Sequence, residues 1–380
     1  MHVAVNTRFL LPGDHLEGIG RFSYETLRCL VARHPAVTFH FLFDRAYDPR
    51  YLFGANVVPH VLAPPARHPL LFVAWFEGAV ALWLARHRPA AFLSPDGFTT
   101  LNTTVPRVTV IHDLAFEHFP LDVGRLQRQY YHFFMPRFAR ASQRLVAVSE
   151  ATKADIVRTY GIDPAKISVA YNAPAAFFQP QPAAAQLAIR ARFSHGQPYF
   201  LFVGALQPRK NLGNLLQAFD RFKTAGGPAV AGAQLLIVGR KAWRAGPIFD
   251  AYQRMHHQTA VHFTGRVADA DLADLYAAAR STVYVPYFEG FGIPIVEAQA
   301  CDCPVLTASV SSMPEVAGAG GALLVDPHDA EAIAAGLARL WHEPELRQQL
   351  VARGRENLGR FSWARSAEVL WAAVVAATGG

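Results

Sequence analysis

The sequence predicts an α/β protein made of two Rossmann-like, doubly wound parallel-sheet domains in tandem. Short apolar runs alternate with helix-like segments along almost the whole chain, as in parallel sheets joined by crossover helices. The alternation breaks once, at residues 173–198, and then resumes. A chain of 380 residues that is 52% hydrophobic and 17% charged has enough apolar material for two packed cores, which excludes disorder as a main theme.

The first series of expected strands is HVAVN (2–6), TFHFLFD (38–44), AAFLS (90–94), RVTVIHD (107–113), RLVAVSE (144–150) and KISVAYN (166–172). Residues 173–198 are rich in Ala, Pro and Gln and read as a linker followed by a short helix. The second series is YFLFVG (199–204), QLLIVG (234–239), VHFTG (261–265), TVYVPY (282–287), PVLTAS (304–309) and ALLVDP (322–327). These limits give domains at 1–175 and 198–360 around a linker at 176–197. Ligands of open parallel sheets bind outside the carboxyl ends of the strands, so two such sheets facing each other across a cleft would hold one between them.

Most of the chemistry falls at those strand ends. In YFEGFGIPIVE (287–297), Gly290, Gly292 and Pro294 oppose one continuous helix, so the stretch reads as strand, glycine-rich bend and helix, with Pro294 in the first turn. The bend offers peptide N–H groups and a helix dipole to an anion, while Glu289 and Glu297 accept hydrogen bonds from sugar hydroxyls. The implied ligand carries both a phosphate and a sugar. In FVGALQPRKN (202–211), Gly204 ends a strand, and Arg209 and Lys210 precede a helix start, where two cations call for an anion or free solvation. A diphosphate would satisfy both, the arginine bidentately and the lysine as a point charge.

The other candidates are more ambiguous. HLEGIGRFSYETL (15–27) is a glycine loop entering a helix, and Gly18, Gly20 and Arg21 either face a ligand or form an ordinary strand-to-helix turn. His112 and Asp113 end one strand and Asp96 follows another; each is either structural or a partner for sugar hydroxyls. In GRVADADLADLYAAA (265–279), Asp269 or Asp271 is expected to cap a helix, leaving one carboxylate free to accept from N1–H and the exocyclic amine of guanine.

The net charge of +7 and pI near 9.4 suit an anionic ligand or surface, or a solvated basic face. Cys29, Cys301 and Cys303 offer neither metal spacing nor a disulfide framework, which points to a reducing compartment. No nucleic-acid partner is expected. The start of the chain suggests no signal peptide, and hence a cytoplasmic protein. LLFVAWFEGAVALWLA (70–85) reads as a buried helix rather than a span, because it is short and holds Glu77 and Gly78. Residues 124–144 carry Arg125, Arg128, Arg137, Arg140 and Arg144 among aromatics with no acid, either a solvated face or a surface for lipid headgroups.

Taken together, EGIGRFSYETL, HDLAFEHFP, VSEATKADIVRTYGIDPAKISVAYNA, GALQPRKNLGNLLQAF, GRVADADLADLYAAA and FEGFGIPIVEAQACDCPVLTASVSSMPEVAG resemble family 4 of the glycosyltransferases, retaining enzymes of the GT-B fold, closest to bacterial mannosyltransferases of O-antigen and exopolysaccharide assembly. The resemblance implies a nucleotide-sugar donor and a glycan or lipid-linked acceptor. It assigns the donor diphosphate to Arg209 and Lys210, and the donor sugar to Glu289 with the backbone amides of Phe291, Gly292 and Ile293. Glu297 would bind ribose hydroxyls, Gly18 and Gly20 would close over the phosphates, and His112 would lie near the sugar. Asp269 matches the position of an aspartate in members that use GDP-mannose. FSWARSAEVLWAAVVAA (361–377) resembles a helix that returns to the first domain, completing it with residues 361–380. Cys301-Asp302-Cys303-Pro304 departs from the usual Cys-Gly-Thr-Pro, which puts the turn after the helix in doubt.

A departing diphosphate gathers negative charge, which fixed cations and oriented amides stabilise without a metal, so no cofactor is expected. Retention is implied by the resemblance, through front-face attack with the leaving phosphate as base. A UDP-sugar donor, a nucleotide-sugar epimerase, a glycan phosphorylase and a non-catalytic nucleotide-sugar scaffold are the competing expectations; the phosphorylase would need a pyridoxal phosphate lysine.

Overall fold

The computed structural model describes the chain except residues 12, 14, 15, 17, 241–245 and 380. His15 and Glu17 of the expected glycine loop therefore lie outside the described residues. The chain forms two compact units, Met1–Asn172 with Ser362–Gly380, and Ala173–Phe361.

The first unit holds a seven-stranded parallel sheet of β1 (His2–Asn6), β2 (Thr38–Phe43), β3 (Val57–Val61), β4 (Ala91–Ser94), β5 (Arg107–Ile111), β6 (Arg144–Ala147) and β7 (Ile167–Val169). Its order is β3-β2-β1-β4-β5-β6-β7, so the winding reverses between β1 and β4. β4 and β5 are buried along their whole length, which explains their unbroken apolar runs. β3 was not expected: VVPHV is half exposed and carries Pro59, tolerated because the strand lies at the sheet edge. The helix Trp363–Ala377 packs in this unit against the helix Gly18–Arg33 and strands β5 to β7.

The second unit holds a six-stranded parallel sheet of β8 (Tyr199–Val203), β9 (Gln234–Val238), β10 (Val261–Gly265), β11 (Ser281–Tyr284), β12 (Val305–Ala308) and β13 (Leu323–Val325). The order β10-β9-β8-β11-β12-β13 puts its reversal between β8 and β11. Residues 176–197, expected as a linker, belong to this unit. The helix Ala183–Ser194 lies on the helix Asp269–Ala278, and the Arg190 guanidinium donates to the Ala278 carbonyl at 2.7 and 2.9 Å. That capping contact, which no linker composition reveals, ties the segment down.

Residues Pro69–His87 form a helical run with a π-helical middle, Ala74–Val80. It is 19 residues long with a mean hydropathy of 1.4, enough by length and composition to cross a membrane. One face, with Trp75, Phe76, Val80 and Leu84, fills the core of the first unit. Glu77 accepts from the amides of Leu101 and Asn102 and the hydroxyl of Thr100, so its charge is held inside the fold.

Candidate functional site

The topological reversal of the second sheet is where its charged side chains converge. After β8, Pro208–Lys210 form a single 3₁₀ turn, and Asn211 enters the left-handed region at φ 61° before the helix Leu212–Gly226 begins. The buried Asn211 amide donates to the carbonyls of Val285 (2.9 Å) and Pro327 (2.7 Å), fixing the turn against the segments after β11 and β13. The amide of Tyr287 donates to the Arg209 carbonyl at 3.0 Å, and the Arg209 guanidinium donates to the Phe288 carbonyl at 3.1 Å. Arg209 and Lys210 are thereby brought onto the bend that follows β11.

That bend ends at Gly292, which sits at φ 95° as the N-cap of the helix Ile293–Ala300, with Pro294 in its first turn as the spacing predicts. Ser311 and Ser312 hold it from outside: both hydroxyls donate to the Glu289 carbonyl, at 2.7 and 2.9 Å, and Ser312 is also 3.0 Å from the Phe291 carbonyl. The Glu289 side chain is turned inward. Its Oε1 pairs with both the Arg209 guanidinium and the Lys210 ammonium. Lys210 also donates to the Tyr284 hydroxyl at 2.6 Å, and that hydroxyl in turn bonds to Glu289. Burial would raise the Glu289 carboxyl, but Arg209, Lys210 and Tyr284 together hold it below the usual carboxylate range. The Tyr284 phenol moves well up, first through burial and then through the charge of Glu289, so it stays protonated and able to donate.

Glu297 lies in the second turn of the helix, and its Oε2 accepts from the buried Tyr276 hydroxyl at 2.9 Å. Gly204 closes the floor, donating to the Val238 carbonyl at 2.9 Å beside Gly239, whose own amide donates to Gly265 at 2.9 Å. The structure thus gathers Arg209, Lys210, Gly204, Glu289, Phe291, Gly292, Ile293 and Glu297 in the strand-end bends and the first two helical turns that follow β8 and β11 of one sheet. Tyr284, Tyr276 and Gly239 were missed because aromatic and glycine residues at strand ends and in helices read as packing, and Asn211 because its amide bonds to carbonyls 74 and 116 positions away.

Asp269 and Asp271 depart from expectation. Ala268 occupies the N-cap, while both aspartates lie in the first helical turn. Asp271 pairs with Arg192 at 2.8 Å, whose helix lies across from it. The triplet Asp269-Ala270-Asp271 has D-x-D spacing, and among the described residues no group of three or more His, Cys, Asp or Glu side chains is arranged to hold a metal ion.

The remaining candidates belong to the first unit. Gly18 and Gly20 lie in the first turn of a helix rather than in a loop. A Cβ on Gly20 would come within 2.9 Å of the Phe9 carbonyl oxygen, so this glycine serves close packing; Arg21 follows it on the same helix. His112 Nε2 lies 2.8 Å from the Pro95 carbonyl, which fixes that nitrogen as the protonated one, and burial lowers its pKa, keeping the ring neutral. Asp113 caps a turn by accepting from the Ala115 amide at 3.0 Å. Asp96 is engaged internally: Oδ1 accepts from Asn6 Nδ2, Ser94 Oγ and the Phe98 amide, and Oδ2 from the guanidinium of Arg8 at 3.1 and 3.3 Å. Arg8 in turn stacks over Phe98 and Phe72. These contacts lock the ends of β1 and β4, leaving Asp96 no oxygen without a protein partner.

Comparison with known proteins agrees with this geometry. Residues 16–173 match the family described as Glycosyltransferase Family 4, and residues 187–357 match glycosyl transferases group 1. The chain is 29% identical over 362 residues to O-antigen chain mannosyltransferase B of Escherichia coli, covering 92% of this chain and 93% of that one. It is 31% identical over 335 residues to a D-inositol 3-phosphate glycosyltransferase of Segniliparus rotundus, covering 86% and 71%. Among solved structures it is similar to a sucrose-phosphate synthase of Thermosynechococcus elongatus, with a TM-score of 0.77, 19% identity and coverage of 97% and 96%. The cations, the paired acids and these matches lead to one conclusion: the chain belongs to glycosyltransferase family 4 and is a glycosyltransferase of the GT-B fold.

Proposed function

We propose that the protein is a retaining, metal-independent mannosyltransferase that moves mannose from GDP-mannose to a glycan or lipid-linked glycan in surface polysaccharide synthesis. The observation that carries the donor site is the junction of Arg209 and Lys210 with Glu289, next to Glu297, in one unit. Arg209 and Lys210 neutralise charge growing on the leaving diphosphate. Glu289 orients the sugar, and Glu297, steadied by Tyr276, takes the ribose hydroxyls. The acceptor hydroxyl attacks the front face and passes its proton to the departing phosphate. Mannose is favoured by the name of the Escherichia coli relative, and guanine by the carboxylate of Asp269 in the first turn of the helix that follows β10.

A panel of GDP, UDP, ADP and dTDP, read by thermal shift or calorimetry, tests the base. GDP is expected to give the largest stabilisation, by roughly 2–4 kcal/mol at 100 to 1,000 times its Kd. A larger response to UDP would replace the proposed donor by a UDP-sugar.

The lipid-linked acceptor is accompanied in this proposal by peripheral contact with an anionic membrane through the helix Arg125–Ala141. Arg125, Arg137 and Arg140 are exposed there beside Leu126 and Phe133, and the helix contains no acid. Each exposed arginine near an anionic surface contributes about 1 kcal/mol. Replacing Arg125, Arg128 and Arg137 with glutamate is expected to abolish co-sedimentation with vesicles containing anionic lipid. Unchanged sedimentation would remove the membrane from the proposal.

A further inference from the structure

The Arg209–Lys210 pair is already matched to an anion within its own chain. Arg209, Lys210 and Glu289 have side chains 17%, 12% and 10% exposed, so the three charges meet where water screens them little. A single carboxylate oxygen serves both cations. Neither the acid nor the lysine is loosely placed: Ser311 and Ser312 grip the Glu289 backbone, and the Tyr284 hydroxyl holds the Lys210 ammonium. A diphosphate needs the same guanidinium and ammonium donors, and it cannot share them fully with a carboxylate, because the two anions repel at contact distance.

We propose that Glu289 occupies the cations in place of the donor diphosphate and that the two anions exchange during each catalytic cycle. Entry of the diphosphate frees the carboxylate, which turns to the hydroxyls of the transferred sugar. Once the sugar has left, nothing rewards the displaced acid, and its return to Arg209 and Lys210 drives out the nucleoside diphosphate. Glu289 therefore sets specificity as well as position, since it penalises a sugar-free nucleotide more than the intact donor. The held-down pKa of Glu289 keeps it an anion, able to compete, across the neutral range. This inference rests on the donor-site reading above.

Inorganic pyrophosphate is the probe of choice, because it is independent of the base and the sugar. Calorimetry of the full chain is expected to give about tenfold tighter pyrophosphate binding in Glu289→Gln than in the unaltered protein, the scale of one lost charged competitor. With GDP and GDP-mannose, the same variant should raise affinity for GDP more than for GDP-mannose. Glu289→Asp, whose acid is one methylene shorter and cannot serve both cations equally, should show a smaller gain and serves as the test if the glutamine variant does not fold. Pyrophosphate binding that is unchanged or weaker in these variants overturns the exchange, as does its absence from all the proteins. Arg209→Ala separates the two ideas. If it binds pyrophosphate as well as the unaltered chain, the donor site itself is misplaced. If it loses binding while Glu289→Gln gains none, the donor site stands and the exchange alone fails.

Discussion

Replacing Lys210 or Glu289 with alanine is expected to lower turnover by about 100-fold, with a smaller change in donor KM. For Lys210 the reason is where its charge is held. The ammonium is steered by the Tyr284 hydroxyl at 2.6 Å and paired with Glu289, so it needs little reorganisation as charge builds on a leaving phosphate. Loss of such a preorganised charge acts mainly on the transition state, and 100-fold corresponds to about 2.7 kcal/mol. Alanine at 210 leaves Glu289 paired with Arg209, so no buried acid is stranded and the fold should persist. Alanine at 289 removes the group placed to orient the sugar and leaves two cations competing for the diphosphate, so donor binding can hold or improve while turnover falls. Steady-state kinetics with the donor identified by the nucleotide panel, alongside a thermal unfolding curve for each variant, provides the check. Near-normal turnover in either variant would remove that residue from the chemistry.

Much of this was legible in the sequence because the relevant signals are local. Buried parallel strands read as unbroken apolar runs, which marked β4, β5 and β8; β3 escaped because an exposed edge strand with a proline carries no such signal. Glu289, Glu297, Arg209 and Lys210 stood out because strand, glycine-rich bend and helix can be read from eleven residues, and adjacent cations at a helix start need an explanation. Side chains whose role depends on distant partners did not stand out. Tyr284 sits in a strand and reads as core, yet its hydroxyl bonds Lys210 across 74 positions of sequence. Asp96 looked available at a strand end, but the residue that consumes it, Arg8, lies 88 positions earlier in an unremarkable Asn-Thr-Arg. The short helix expected within 173–198 gives no sign in sequence that it packs on the second unit, because its tie to Ala278 is likewise non-local. Local pattern places the elements and the residues that break a pattern, whereas the polar contacts that orient them are set only by the folded register.

Gly239→Ala is expected to be the most damaging single-methyl change in the second unit, although the residue bears no functional group. At this position β8 and β9 lie in register, Val203 beside Val238, and the next residues on each strand, Gly204 and Gly239, approach backbone to backbone. A Cβ on Gly239 would lie 1.8 Å from the Gly204 carbonyl oxygen and 2.7 Å from its carbonyl carbon. A flexible side chain could rotate away from such a contact, but a peptide group held in the sheet cannot. Gly204 is fixed by its bond to the Val238 carbonyl, and Leu206 bonds onward to the Arg240 carbonyl, so relief requires parting the two strands where the turn bearing Arg209 and Lys210 begins. Overpacking of this kind costs about 3 kcal/mol, or roughly 6–12 °C in Tm for a unit of this size. Because the displaced segment carries both cations, nucleotide binding should be lost together with stability rather than after it. Calorimetric titration with GDP well below the lowered Tm distinguishes the two effects: a folded variant with ordinary GDP affinity would mean that the glycine floor does not position the cations at all.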